Sequence, residues 1–77
     1  MKGIEFLGGS LKTVRKFPAQ AKRETGHQLD RVQHGLDPMD WKPMKSIGQG
    51  VREIRIQNEG QYRVISMATF EDKVYVV

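Results

Sequence analysis

From Val51 to Gln57 the side chains alternate, with Ile54 and Ile56 on one side of an extended chain and Glu53, Arg55 and Gln57 on the other. Asn58-Glu59-Gly60 follows, a cluster of turn-forming residues. Residues 62–70 then form a second run rich in residues that suit a pleated surface. A period of two followed by a short turn and a second β-rich run commits this stretch to an antiparallel hairpin. Glu71-Asp72 offers a second turn and residues 73–77 a third β run, so three consecutive strands are expected to form a meander.

The first half reads differently. Ile4 and Phe6 alternate within residues 2–7, as in a short strand. Gly8-Gly9 breaks that strand, and Ser10 is placed to cap a helix. Leu11, Val14 and Phe17 recur at spacing three, until Pro18 ends one helix and suits the first turn of the next. Over residues 19–34, Ala21, Thr25, Gln28, Leu29 and Val32 share one helical face, and Gly35 is placed to end the helix with Leu36 packing back. Residues 37–50 contain two prolines, two glycines and Trp41, and are expected to form a loop. The expectation is one α+β domain over residues 1–77, of order β-α-α-β-β-β, with a two-helix hairpin packed on an antiparallel sheet.

Composition narrows the function classes. With no cysteine, a disulfide scaffold, a thiolate zinc site and a cysteine nucleophile are excluded. Apolar runs are too short to cross a membrane as a helix, and Glu5 interrupts the only stretch near the N-terminus that a signal peptide could use. A cytoplasmic protein is the expectation. The formal net charge is +4, which favours a polyanionic partner. All of that excess lies in residues 1–50, because residues 51–77 carry equal numbers of basic and acidic side chains.

Three groups of residues could carry chemistry. Arg55 and Arg63 lie on either side of the turn and can stand near each other on paired strands. Arg52 points to the opposite face unless a bulge intervenes. Two guanidiniums on one face suit phosphate oxygens, since each is a planar fork of donors. The competing reading is a solvated face with ion pairs to Glu53 and Glu59. His27, Asp30 and His34 lie near one solvent-facing helix face, with no further strong ligand in evidence, so no metal is expected. Tyr62 and Tyr75 could stack on bases, although strand tyrosines are more often packing residues, and Trp41 reads as a loop anchor. Lys12, Lys16, Arg23 and Arg31 give the helices a basic surface. No phosphate-binding glycine loop and no hydrolase or zinc-protease motif is present. The residues alone lead to a basic α+β domain with RNA as the favoured ligand.

Particular words sharpen this. Ile4-Glu5-Phe6-Leu7-Gly8, Gln28-Leu29-Asp30-Arg31-Val32-Gln33-His34-Gly35, Trp41-Lys42-Pro43-Met44, Gly50-Val51-Arg52-Glu53-Ile54-Arg55-Ile56 and Tyr62-Arg63-Val64-Ile65 resemble the HigB-type, phage-derived branch of the RelE/ParE toxin superfamily. The resemblance implies the toxin of a type II toxin–antitoxin pair, one that cleaves mRNA on the ribosome and inhibits translation without metal or cofactor. Its implied partners are a HigA-like helix-turn-helix antitoxin, the ribosome and mRNA. It implies Arg63 and Arg55 as catalytic and phosphate-binding residues, with Tyr62 as a neighbouring RNA contact; Arg52 is a further candidate phosphate contact beside them. Glu53 stands where relatives can have Lys, and Ser66 where they commonly have Tyr. Relatives continue past the last strand with a basic segment that supplies catalytic groups, so the resemblance also implies a domain shortened at its C-terminus. Two alternatives stay open: a non-catalytic antitoxin-binding remnant that acts in operon regulation, and a ParE-like gyrase poison.

Overall fold

A computed structural model describes residues 1–68 and 73–77. The second expected turn, Glu71-Asp72, and the end of the 62–70 run lie outside the described residues. The elements are β1 (Gly3–Phe6), α1 (Ser10–Arg15), α2 (Ala19–Gln33), β2 (Trp41–Pro43), β3 (Val51–Gln57), β4 (Gln61–Ala68) and β5 (Lys73–Val76). The α+β architecture with two helices on a sheet is as expected. Among the described residues the strands form one sheet in the order β1-β5-β4-β3-β2.

Two features correct the sequence reading. The sheet is mixed rather than wholly antiparallel, because β1 pairs parallel to β5, with Ile4 beside Val74 and Phe6 beside Val76. Parallel neighbours need a long crossover, and here both helices and the hairpin lie between them. The expected loop over residues 37–50 contains a short edge strand, β2, paired antiparallel to β3 with Trp41 beside Ile54 and Lys42 beside Glu53. Pro43 ends it, as an edge position allows.

The hairpin forms with the register that the alternation implies. Its last pair is Gln57 with Gln61, closed by a three-residue loop in which Glu59 has φ +51°. In α2, Ala21, Thr25, Gln28, Leu29 and Val32 are buried, the same face that the spacing marks. The helix ends in a Schellman motif: the Gly35 N–H donates to the Val32 carbonyl, the Leu36 N–H donates to that of Arg31, and Gly35 takes φ +78°. The Leu36 side chain stays largely exposed. Ser10 opens α1 but does not cap it. Its hydroxyl donates instead to the Val76 carbonyl at 2.9 Å and ties the helix to β5.

The core lies between α2 and one face of the sheet. It comprises Ala21, Leu29, Val32, Ile54, Ile56, Val64, Val74 and Val76, with Phe6, Phe17 and Tyr62 packed around it. Buried polar groups on α2 are satisfied. Thr25 donates to the Ala21 carbonyl, and Gln28 donates to Glu24 and accepts from the Met39 N–H. That last bond anchors the connection leading into β2.

Candidate nucleic-acid interface

Because strand side chains alternate, the face of the sheet away from the helices is fixed by the core residues. If Ile54, Ile56, Val64, Val74 and Val76 face the helices, then Glu53, Arg55, Arg63, Ile65, Lys73 and Tyr75 face the other way. The pairing of β2 with β3 adds Lys42, whose register partner is Glu53.

Arg55 and Arg63 are direct register partners on β3 and β4. Two like charges in directly opposed positions repel. Here one carboxylate lies between them: Arg55 Nε donates to Glu53 Oε1 at 3.3 Å, and Arg63 Nε lies 3.8 Å from the same oxygen. The Glu53 side chain is 6% exposed, that of Arg55 34% and that of Arg63 62%. The guanidiniums therefore reach solvent while the carboxylate lies beneath them. Two arginines and one glutamate carry a net charge of +1, and Lys42 on the same face raises it to +2. Chemically, this arrangement can bind an anion with planar, forked donors. It offers hydrogen bonds to a phosphate, but a guanidinium cannot accept a proton at neutral pH.

Of the other sequence candidates, Tyr75 shares this face, and Arg52 and Tyr62 lie elsewhere. Arg52 faces the helix side, as the alternation requires. Its Nη1 donates to Asp37 Oδ1 at 2.9 Å, and its guanidinium lies 4.5 Å from the centre of the Trp41 ring. Arg31 Nε also bonds the Asp37 carbonyl, so Arg52 and Arg31 together fasten the chain between α2 and β2. Tyr62 is on the helix side too, with its ring centroid 4.8 Å from that of Phe17. His34 Nδ1–H donates to the Asp30 carbonyl at 2.8 Å, and among the described residues no cluster of His, Cys, Asp or Glu could hold a metal ion.

The sequence reading missed one member of the open face and the burial of another. Lys42 was hidden because residues 37–50 read as a loop. Glu53 read as a solvated ion-pair partner, whereas it is buried and shared by both arginines. The Glu-x-Arg spacing on β3 was the available signal for the second.

The sequence model of the family described as Phage derived protein Gp49-like (DUF891) matches residues 12–77. Neither the curated proteins nor the solved structures gave a match.

Proposed function

We propose a function from one premise: the chain belongs to the Gp49-like family of phage-derived proteins, a toxin-like family of the RelE/HigB type. On this reading the chain is the toxin of a type II toxin–antitoxin pair, and its target is mRNA in the ribosomal A site. The observation that carries it is the Arg55–Arg63 pair, which stands on the sheet face that, among the described residues, no helix covers.

Cleavage would proceed by attack of a ribose 2′-oxygen on the adjacent phosphorus. The new O2′–P bond forms as the P–O5′ bond breaks. The 2′-hydroxyl proton leaves to a base, and the departing 5′-oxygen takes one up. Arg55 and Arg63 would donate to the non-bridging oxygens, where negative charge grows in the transition state. The antitoxin, a helix-turn-helix protein of HigA type, would silence the toxin by binding it.

A second reading is a non-catalytic module that binds its antitoxin and acts in operon regulation. One observation favours it: the carboxylate beside the arginines, Glu53, is buried and already engaged by both.

Inducible expression in a bacterial host, with primer extension on cellular mRNA, tests the first reading. Growth arrest with cleavage, both lost in Arg63→Ala, is the expected result. Soluble protein that neither arrests growth nor cleaves mRNA, yet still binds the antitoxin, supports the second. Arrest that is unchanged in Arg63→Ala contradicts the role of the arginine pair.

A further inference from the structure

We infer that Glu53 is a positioning residue: its carboxylate holds Arg55 and Arg63 by their Nε atoms and leaves both terminal forks free for a single phosphate. This rests on the reading of the two arginines as a phosphate site. The contacts to Glu53 run through Nε in both cases, a hydrogen bond from Arg55 at 3.3 Å and an ion pair with Arg63 at 3.8 Å. Among the described residues, neither arginine uses its Nη atoms in a hydrogen bond. Arg52 shows the contrasting mode, with Nη1 spent on Asp37 and the ring of Trp41 beneath the guanidinium.

The placement of Glu53 is what lets one carboxylate serve both. It precedes Arg55 by two on β3, so the two share a face, and it lies diagonally across from Arg63 on β4. It is 5% exposed, with Lys42 beside it on β2 and Ile65 on β4. Buried under the cations, the carboxylate offsets their mutual repulsion, and the hydrogen bond from Arg55 Nε fixes the plane of that fork. The three side chains retain one net positive charge and Lys42 on the same face adds a second, so the face attracts a phosphodiester.

The test compares Glu53→Gln, Glu53→Asp and Arg63→Ala with the native chain, using a short single-stranded RNA as probe. Glu53→Gln adds one unit of positive charge, so long-range attraction alone would tighten RNA binding. Positioning predicts the opposite sign, a loss of about tenfold, because a neutral amide still accepts from Arg55 Nε but no longer draws the two guanidiniums together. Glu53→Asp keeps the charge and shortens the reach by one methylene, and should weaken binding in the same direction. A Glu53→Gln chain that binds RNA as well as or better than the native one overturns the clamp. Arg63→Ala binding RNA like the native chain removes the phosphate site itself. The native chain gives an independent readout in NMR of its arginine side chains during titration with inorganic phosphate. The Nη signals of Arg55 and Arg63 should move while their Nε–H signals stay in place, and Nε signals that move as far as the Nη signals overturn the clamp.

Discussion

On the helix-covered face of the sheet, Ile54, Ile56, Val64, Val74 and Val76 are each no more than 3% exposed. On the open face the same strands set Glu53, Arg55 and Arg63 together, held by two contacts to one oxygen. The two faces share a backbone and differ in what secures them. Burial of apolar area is non-directional and grows with the number of groups buried. The charged cluster depends on direction and on few contacts, and exposed ion pairs contribute little to stability. The covered face should therefore set stability and the open face function, and substitutions can be chosen to separate them.

The largest stability effect is expected from Ile54→Ala. A truncation at this nearly inaccessible site should cost roughly 2–5 kcal/mol, read from urea denaturation, whereas Arg63→Ala should shift stability by less than about 0.5 kcal/mol. Equal losses in the two variants would break the division between the faces. Next, Gly35→Ala should cost about 1 kcal/mol, because Gly35 has φ +78° in the turn that ends α2. Arg52→Ala, on the helix side, removes the bond to Asp37 and the stacking on Trp41. It should cost about 1 kcal/mol of stability and lower RNA affinity less than Arg63→Ala does; a larger loss of affinity would bring Arg52 back into the interface. The smallest effect is a gain. Glu59 has φ +51° at the hairpin turn, a conformation that Asn adopts more readily, so Glu59→Asn should raise the thermal midpoint slightly.

The same contrast explains how much was legible in the sequence. The hairpin register could be read because Arg55 and Arg63 stand equally far from Glu59, and because alternation is a local signal. The buried face of α2 could be read from its spacing, as could the opposite orientation of Arg52. The β1–β5 pairing could not: it joins Ile4 to Val74 across nearly the whole chain, and no local pattern encodes such a partner. The strand β2 has three residues, one of them Pro43, too few to show a period. Without β2 there was no neighbour to cover Glu53 on that side, so its burial was invisible as well. The charged cluster was thus legible in its cations and hidden in its carboxylate.

Membership of a toxin-like family and the arginine pair rest on different observations. The family comes from sequence similarity over residues 12–77, and the pair from strand register. The proposed function adds one requirement, that Arg55 and Arg63 act on one phosphate as a unit. A double-mutant cycle on single-stranded RNA affinity, with Arg55→Ala, Arg63→Ala and the double variant, tests that requirement most directly. The account predicts strong coupling, the double variant binding little worse than the weaker single one. Additive losses would contradict it, and would make the two arginines independent charges on a solvated face.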